Sequence, residues 1–411
     1  MSQQKGSSIS IRTNRPELRE FEEILKRASD KKASDLHLKA GLPPVVRVNG
    51  SLFYLGDDSG ENIVRLTDEQ LDHWSTVLMT PRQAEAYQRG EEVDLGYEIQ
   101  TGGRYRINIC QQRGRPRMVC RYIPDTIKGL DELKLPKAVH QLLTAKRGLL
   151  LVTGATGSGK STTLAAMIDY IARTRSCHII TIEDPIEFAF KDRKSIVTQR
   201  EVGMDTQSFG KALKYALRQD PDVILVGEMR DEETIRMALT AAETGHLVLS
   251  TLHTNDATET INRVLASVEG DTQEAVRMQL SATLVGVISQ RLIPRADKKG
   301  RVAAVEILIN NTRVSDLILD PARTADIRRV LDESNDMGMQ SFDKSLMDLF
   351  REGVITEEAA LAQCSNPRDF RLRLGGVVSG DYKGDSGKGI ASLSDQLIEI
   401  ENVRPPTKKK A

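Results

Sequence analysis

The sequence predicts an α/β fold in which a core of parallel strands follows a smaller α+β domain. The chain has 411 residues, enough for two ordinary domains and a tail. From about residue 138, short apolar runs such as LLLVTG, DVILVGE and HLVLSTLH alternate with helical segments. Runs that are apolar almost throughout are typical of parallel strands with both faces covered. The second part of the chain should therefore be the α/β core.

The first part of the chain, residues 16–124, has the pattern of a small α+β domain. The segment RPELREFEEILKRASDKK has its apolar residues at helical spacing. The run VVRVNGSLFYL, with Asn49-Gly50 between two β-prone halves, predicts a hairpin. A second hairpin should lead from GRYRINIC to PRMVCRYI and turn at residues 114–116.

Flanking segments complete the predicted domain organisation. Residues 1–15 are polar and are expected to be disordered, and residues 125–137 should link the two domains. The core and its C-terminal helices should occupy residues 138–375, mostly helical after Ala275 apart from one strand candidate, RVAAVEILI. Residues 376–411 should form a flexible tail, in which SLSDQLIEIE is either a short helix or disordered.

The composition narrows the class of protein. Lys and Arg number 58, as do Asp and Glu, so no overall charge attracts the chain to nucleic acid or to an anionic membrane. Aromatic residues make up only 4%, which disfavours a surface for base stacking. Local basic patches are still compatible with these totals. We therefore expect no direct nucleic-acid partner.

The cysteines and the apolar runs indicate a soluble, intracellular chain. None of Cys110, Cys120, Cys177 and Cys364 forms a C-x-x-C pair, so we expect neither structural zinc nor a disulfide framework. Free and mostly buried thiols in a reducing cytoplasm are the simpler interpretation. No apolar signal segment is visible, and no apolar run approaches the roughly 18 residues needed to cross a bilayer.

The strongest motif is GATGSGKS, which fills the pattern G-x-x-x-x-G-K-[ST]. It follows the strand candidate 148–152 and opens into the helix-prone run TTLAAMIDYIA, the context that a phosphate-binding loop needs. The glycines let backbone N–H groups point at the β- and γ-phosphates, and the helix N-terminus adds its positive dipole end. This context disfavours a chance match. The expected nucleotide-binding residues are Gly154, Thr156, Gly157, Ser158, Gly159, Lys160, Ser161 and Thr162.

Lys160 and Ser161 have separate roles in such a loop. Lys160 should bridge β- and γ-phosphate oxygens, and the Ser161 hydroxyl should ligate Mg²⁺. ATP and Mg²⁺ are therefore the expected cofactors. We expect the Lys160 side chain to be exposed while no nucleotide is bound, because its charge is needed only against phosphate.

Two acidic segments follow other strands of the predicted sheet. In ILVGE, Gly227 stands where a Walker B strand usually carries Asp, so Glu228 is expected to orient and deprotonate the attacking water and to hold metal-bound water. In TIEDPIEF, Glu183, Asp184 and Glu187 follow a strand at the edge where such folds bind ligands. Besides Glu228, Glu183 is the preferred candidate for a carboxylate that holds water bound to the metal. Solvated charge or helix capping is the alternative interpretation of these carboxylates.

Basic residues supply candidates for sensing and stabilising the phosphates. His253 follows a strand at the edge that carries the phosphate loop and is the candidate γ-phosphate sensor, whereas His246 is equally well explained as a structural histidine. Six arginines fall on the second predicted hairpin. A guanidinium suits the developing charge on a γ-phosphate better than an ammonium does, so Arg106, Arg113 and Arg121 are candidate arginine fingers. A solvated charged face is the alternative explanation.

Taken together, these motifs resemble a known family. GATGSGKSTT, TIEDPIEF, LRQDPDVILVGEMRD and AAETGHLVLSTLHTNDA are similar to the successive boxes of secretion ATPases. SDLHLKAGLPPVVRVNG and GMQSFDKSLMDLFREGVITEEAAL are similar to segments of the pilus-retraction members, the PilT/PilU family. The resemblance covers about residues 17–375. The assembly and type II secretion members carry an additional N-terminal domain and a tetracysteine motif, and this sequence shows neither. The polar tail and ILDPARTADIRRVLDES are more similar to PilU than to PilT.

The resemblance implies a hexameric ring of two-domain subunits, each with an N-terminal PAS-like domain and a RecA-like ATPase domain. ATP would lie between the two domains, with arginines of the N-terminal domain reaching the phosphates. By position, Lys160, Ser161, Glu183, Glu228 and His253 fall in the family's nucleotide site.

The expected function is a hexameric motor at the cytoplasmic face of the inner membrane, where ATP hydrolysis powers type IV pilus retraction and twitching motility. The expected partners are further copies of the chain, an inner-membrane pilus platform protein and a related retraction ATPase. Two other functions fit the same motifs. One is a conjugation or DNA-uptake motor, and the other is an accessory nucleotide-binding ring that tunes a partner motor.

Overall fold

The computed structural model describes residues 16–48, 50–56, 65–99, 103–123, 126–268, 270–333 and 338–374. The predictions for residues 1–15, for Asn49 and for the tail 376–411 lie outside the described residues. The strands are β1 (Asp35–Lys39), β2 (Val45–Val48), β3 (Ser51–Tyr54), β4 (Val93–Glu98), β5 (Arg104–Gln112), β6 (Arg115–Ile123), β7 (Gly148–Thr153), β8 (His178–Glu183), β9 (Ile196–Glu201), β10 (Val223–Val226), β11 (Leu247–Leu252), β12 (Leu284–Pro294) and β13 (Arg301–Ile309). The helices are α1 (Arg19–Asp30), α2 (Asp68–Leu78), α3 (Pro81–Gln88), α4 (Lys137–Leu142), α5 (Lys160–Thr174), α6 (Phe209–Ala216), α7 (Glu232–Glu243), α8 (Ala257–Ala266), α9 (Gly270–Thr283), α10 (Thr312–Leu319), α11 (Ile327–Glu333), α12 (Phe342–Arg351), α13 (Glu357–Leu361) and α14 (Pro367–Leu374), with 3-10 turns at Pro16–Leu18 and Thr324–Asp326.

Strands β1 to β6 form an antiparallel sheet in the order β3-β2-β1-β6-β5-β4. Helices α1 and α2 supply Phe21 and Trp74 to its core, and both side chains are almost fully buried with Ile107 of β5. Successive side chains of a strand point to opposite faces, so Arg104 and Arg106 lie on the other face, where they are half-buried. The small domain therefore presents a polar sheet face to the rest of the chain.

Both predicted hairpins are present, β2 with β3 and β5 with β6. The second one turns earlier than predicted, because Gln112 pairs with Arg115 and Pro116 already belongs to β6. Its turn residues are Arg113 and Gly114, with φ angles of 54° and 74°. Two residues with positive φ form the kind of turn whose twist matches the flanking strands.

Strands β7 to β13 form the second sheet, in the order β13-β12-β7-β11-β10-β8-β9. Neighbouring strands from β12 to β9 run parallel, and β13 pairs antiparallel with β12. Along β7, Leu149 and Leu151 pack with α6 to α9, while Leu150 and Val152 pack with α4 and α5 on the opposite face. This arrangement confirms the α/β core that the apolar runs predict.

Two strands of this sheet were not predicted from the sequence. Strand β9, IVTQRE, lies at the edge and is mostly polar, so no apolar run marks it. Strand β12, LVGVISQRLIP, falls in the region expected to be mostly helical after Ala275, and the expectation was wrong for these residues, whereas the strand candidate RVAAVEILI is present as β13. It pairs with β7 on one side and β13 on the other. The pairing with β7, more than a hundred residues away in the chain, helps to decide its conformation, and local periodicity does not report such a partner.

The segment expected to link the domains also contributes to the second core. Leu130 and Leu135 are buried in the same hydrophobic cluster as Leu150. Beyond the sheet, the C-terminal helices pack on the β12–β13 hairpin through Phe342 and Phe370. None of the described helices is both long and apolar enough to cross a membrane.

All four cysteines are free, as expected. Only Cys120 is buried, while the other three are partly exposed. The expectation of mostly buried thiols was therefore wrong for three of the four.

Candidate nucleotide site

The phosphate loop lies between the C-terminal end of β7 and the start of α5, as the motif predicts. Gly154 and Gly159 have φ angles of 144° and 93°, in the region that favours glycine. A Cβ at Gly154 would lie 2.4 Å from the carbonyl oxygen of Gln290, and one at Gly159 would lie 2.7 Å from Gln290 Nε2. Backbone conformation and the close approach of β12 therefore both require glycine at these positions.

The Lys160 side chain is buried, so the expectation that it is exposed was wrong. Its Nζ donates to the carbonyl oxygens of Gly154, at 2.7 Å, and Ala155, at 3.2 Å. Burial lowers the pKa of Lys160, while the nearby Glu228 and Glu187 carboxylates act in the opposite direction. The amine is therefore held by acceptors of the loop itself, which a phosphate would have to replace.

Gln290 on β12 braces the phosphate loop, a role that no motif indicated. Its Nε2 donates to the carbonyl oxygen of Ser158 over 2.8 Å. Its Oε1 accepts from Thr163 Oγ1, also over 2.8 Å. The Gln290 side chain is buried, so one amide joins the loop and the first turn of α5 to the neighbouring strand. Only the pairing of β12 with β7 reveals this role.

Glu228 lies just beyond β10 and contacts two basic side chains. His253 Nε2 lies 3.2 Å from Glu228 Oε1, and Arg230 Nη2 lies 2.8 Å from Glu228 Oε2. On its other side, His253 Nδ1 lies 3.5 Å from Lys160 Nζ. Carboxylate, imidazole and amine thus form a continuous row along the edge of the sheet, which brings together three of the predicted site residues.

Glu183 is the last residue of β8 and is buried. Its Oε1 accepts from Thr181 Oγ1 at 2.7 Å and from Gln199 Nε2 at 3.1 Å. Its Oε2 accepts only a long bond, 3.4 Å, from the Glu187 backbone N–H. Burial raises the pKa of Glu183 although these hydrogen bonds lower it. Oε2 is therefore the atom with capacity for a further partner, such as a metal-bound water.

Of the remaining candidate residues, Asp184 and Glu187 lie at the cavity and His246 does not. Asp184 and Glu187 are exposed and line the same cavity as Lys160, and neither caps a described helix. His246 precedes β11, at the opposite end of that strand from His253. Its Nδ1 lies 2.9 Å from the carbonyl oxygen of Ala241. This contact joins His246 to the end of α7 and fits the structural interpretation.

A cavity of about 890 Å³ lies between the phosphate loop and the N-terminal sheet. Its walls include Lys160, Glu228 and His253 from the large sheet and Arg106 and Arg121 from the small one. A cavity of this size can hold a nucleotide. The nucleotide-binding edge and two of the three candidate arginines therefore face one space.

Arg106 and Arg121 are direct cross-strand neighbours on β5 and β6. Asp94 lies 3.5 Å from Arg106, and Asp35 lies 2.9 Å from Arg121. Like charges opposite each other on a sheet are unfavourable, so a polyanion between the two guanidinium groups would relieve their repulsion. Arg113 occupies the hairpin turn and does not line the cavity, because it lies seven positions, roughly 23 Å along the strand, beyond Arg106.

The groups expected to hold Mg²⁺ also meet at this cavity. Ser161, Glu183 and Glu228 line it together with Thr156 and Thr162. Hydroxyl and carboxylate oxygens, completed by phosphate oxygens and water, are the ligands that Mg²⁺ prefers. The residues therefore fit a nucleotide-bound magnesium ion. Within the described ranges, no group of three or more His, Cys, Asp or Glu side chains is arranged around a common metal position.

The fold and this site define a P-loop nucleotide-binding protein, and comparisons with known proteins agree. A family model described as "Type II/IV secretion system protein" matches residues 126–344. The chain is 46% identical over 323 residues to a twitching motility protein of Neisseria gonorrhoeae, covering 79% of this chain and 84% of that protein. It is 40% identical over 374 residues to the type IV pilus ATPase PilU of Pseudomonas aeruginosa, covering 90% and 96%.

A solved structure of the pilus retraction motor PilT with bound ADP superposes with a TM-score of 0.75 at 46% identity, covering 84% of this chain and 97% of that one. The chain belongs to the type II/IV secretion system protein family, in its PilT/PilU group of pilus retraction ATPases. It is accordingly a nucleotide-binding ATPase with an N-terminal domain and a RecA-like domain.

Proposed function

We propose that this chain works as a hexameric ring in which ATP, bound between residues 16–124 and 138–375 of each subunit, drives the retraction of type IV pili. The observation that carries the proposal is the shared cavity, since Arg106 and Arg121 line it opposite Lys160 and Glu228. A site built from both domains changes shape when they move. Hydrolysis in such a site is coupled to domain rotation.

In this proposal the chemistry is the direct attack of water on the γ-phosphate. Lys160 leaves the carbonyl oxygens of the loop and binds β- and γ-phosphate oxygens. Mg²⁺, held by Ser161 and by waters on Glu183 and Glu228, would neutralise phosphate charge. Glu228 orients and deprotonates the attacking water, and His253, 3.2 Å from it, senses the γ-phosphate. Arg106 and Arg121 stabilise the charge that develops in the transition state.

The cargo is proposed from the family relatives. A twitching motility protein, a pilus ATPase and a pilus retraction motor are each at least 40% identical to this chain. We infer that the ring acts peripherally at the cytoplasmic face of the inner membrane, on the pilus platform protein, and promotes pilin disassembly. The alignment with PilU extends over 374 residues, which supports a PilU-type role beside a related retraction ATPase.

Imaging of surface pili in cells that lack this protein tests whether the motor retracts pili or assembles them. Loss of a retraction motor should leave pili on the surface in normal or increased number while twitching is impaired. If a related retraction ATPase is present, the loss should be partial. A strain without pili, with pilin retained in the inner membrane, would contradict the proposal and favour an assembly motor.

A steady-state ATPase assay on the purified chain separates a motor from an accessory ring. Phosphate release should require both ATP and Mg²⁺. A chain that binds ATP but releases no phosphate, and whose Lys160→Ala form still supports retraction in cells that contain a partner motor, would favour the accessory role.

A further inference from the structure

One buried carboxylate, that of Glu201, joins the two domains beside the candidate site. Glu201 ends β9 at the edge of the large sheet and is 3% exposed. Its Oε2 accepts from Arg104 Nη2 over 2.9 Å and from the Ile186 backbone N–H over 3.1 Å. Its Oε1 accepts from the Gly96 backbone N–H over 3.2 Å. Both oxygens are therefore occupied by donors.

The three donors come from three different elements. Gly96 lies on β4 and Arg104 on β5, so two strands of the N-terminal sheet contact the same carboxylate. Ile186 belongs to the segment after β8, between Asp184 and Glu187, which line the nucleotide cavity. Glu201 thus connects the N-terminal sheet to the acidic wall of the candidate site. Charge-assisted bonds of this kind are strong, and the loss of one partner leaves a buried charge.

The contact between Arg104 and Glu201 lies two residues along β5 from Arg106, one of the arginines that line the cavity. Arg104 and Arg106 are two residues apart on β5, so their side chains leave the same face roughly 7 Å apart. Arg106 pairs directly with Arg121 of β6. Whatever fixes Arg104 against the large sheet therefore also fixes the distance of both cavity arginines from the phosphate loop.

A side chain at Gly96 would overlap the ion pair between Arg104 and Glu201. A Cβ there would lie 2.6 Å from Arg104 Nη2 and 2.9 Å from Glu201 Oε2. The neighbouring atoms belong to an ion pair whose side chains are only 16% and 4% exposed. A methyl group at residue 96 would therefore displace the ends of the Arg104 and Glu201 side chains and disrupt their ion pair, without touching the nucleotide cavity.

We propose that Arg104 and Glu201 form an interdomain latch, seated on Gly96, that positions Arg106 and Arg121 over the phosphates of ATP. This inference rests on the proposed function only in that these two arginines act on the nucleotide. The latch residues are positioning residues, since none of them lines the cavity. When the latch is closed, the arginines complete the site, and when it opens they withdraw together with the N-terminal sheet.

The test uses Gly96→Ala in the full-length chain, with Gly129→Ala as the matched control. Gly129 has an ordinary φ and nothing within 4 Å of its added Cβ. The control therefore makes the same chemical change without steric overlap. We expect kcat for ATP to fall by about 10- to 100-fold in Gly96→Ala and to stay unchanged in Gly129→Ala. The urea midpoint and the affinity for ADP should stay close to those of the wild type in both.

Arg104 supplies an independent variant pair. Arg104→Met removes the charge and should reduce kcat as Gly96→Ala does, while Arg104→Lys keeps one donor for Glu201 and should restore part of the activity. Arg104→Met should also lower the urea midpoint, because it leaves the Glu201 carboxylate buried without its partner, so Gly96→Ala, which keeps both charged groups, is the deciding variant. If Gly96→Ala lowers the urea midpoint but leaves kcat, measured well below that midpoint, at the wild-type value, the contact is merely structural and the latch is overturned.

A double-variant comparison separates the latch from the role of the arginines. In a chain with Arg106→Ala and Arg121→Ala, the addition of Gly96→Ala should cause no further loss of kcat. A further loss of the same size would mean that the contact acts by another route, which overturns the inference. If the two arginine substitutions alone leave kcat unchanged, the proposed arginine role fails. If they reduce kcat and Gly96→Ala does not, only the latch fails.

Discussion

His253 Nε2 lies 3.2 Å from Glu228 Oε1, so the candidate γ-phosphate sensor touches the candidate general base. The same imidazole approaches Lys160 Nζ through its Nδ1, at 3.5 Å. The presence or absence of a γ-phosphate at Lys160 can therefore affect Glu228 through the His253 side chain alone.

Glu228→Gln should bind ATP but hydrolyse it about 10²- to 10⁴-fold more slowly, the usual contribution of a general base. Glutamine keeps the size and one acceptor oxygen but cannot take a proton from water. Equilibrium binding of ATP and single-turnover phosphate release measure the two effects separately. A variant that loses ATP binding but keeps its turnover per bound ATP would make Glu228 a binding residue and Glu183 the better base.

Lys160→Ala should abolish ATP turnover and leave the fold intact. Burial lowers the pKa of Lys160, which shows that the folded chain holds this charge at a cost. Removal of the amine relieves that cost but leaves the carbonyl oxygens of Gly154 and Ala155 without this donor, so the free energy of unfolding should fall by no more than about 1–3 kcal/mol. Circular dichroism and urea denaturation report the fold, and phosphate release reports the activity. Wild-type turnover in this variant would refute the phosphate site.

Gln290→Leu should weaken both the fold and the binding of nucleotide. The Ser158 carbonyl and the Thr163 hydroxyl would lose their buried partner, which costs about 1–3 kcal/mol of stability. Gln111→Leu is the matched control, because Gln111 is exposed and makes a single bond to a backbone carbonyl. Urea midpoints and ADP titrations compare the two. Equal values for Gln290→Leu and the control would show that the loop does not depend on β12.

Glu306 should make the stability of the fold depend on pH. It is buried, accepts the Ala257 N–H over 2.9 Å, and burial raises its pKa from 4.5 to about 7. Between these values the folded chain holds the Glu306 proton more tightly than the unfolded chain does, so the contribution of Glu306 to stability is full below pH 4.5 and is lost as the pH rises to 7.

The expected slope in this window is up to about 1.4 kcal/mol per pH unit. Glu306→Gln keeps an acceptor oxygen and should remove this part of the pH dependence, which urea denaturation across the window measures. The same slope in the wild type and the variant would show that Glu306 does not titrate in the folded chain.

The sequence predicted best those features that local spacing determines. Residues 154–161 carry their glycines and lysine within one loop, and the four apolar runs that flank or follow it are strands β7, β8, β10 and β11. A strand that is buried on both faces must be apolar throughout. It can therefore be recognised from its own sequence, without knowledge of the strands beside it.

The features that were missed depend on pairing over long distances in the chain. Gln290 reaches Ser158 only because β12 lies beside β7, and Glu201 reaches Arg104 only because β9 ends against the N-terminal sheet. Arg113 fits the same basic run as Arg106 and Arg121, yet the hairpin carries it to the far end of the strands. No pattern within the run distinguishes these three arginines.

Individual labelled pili can be followed in cells whose sole retraction ATPase is this chain. With the wild-type chain, fibres should extend and then shorten. With Glu228→Gln, fibres should be present in equal or greater number but should not shorten, because the ring binds ATP without hydrolysing it. Fibres that shorten at the wild-type rate in the Glu228→Gln cells would contradict the claim that hydrolysis at this site powers retraction.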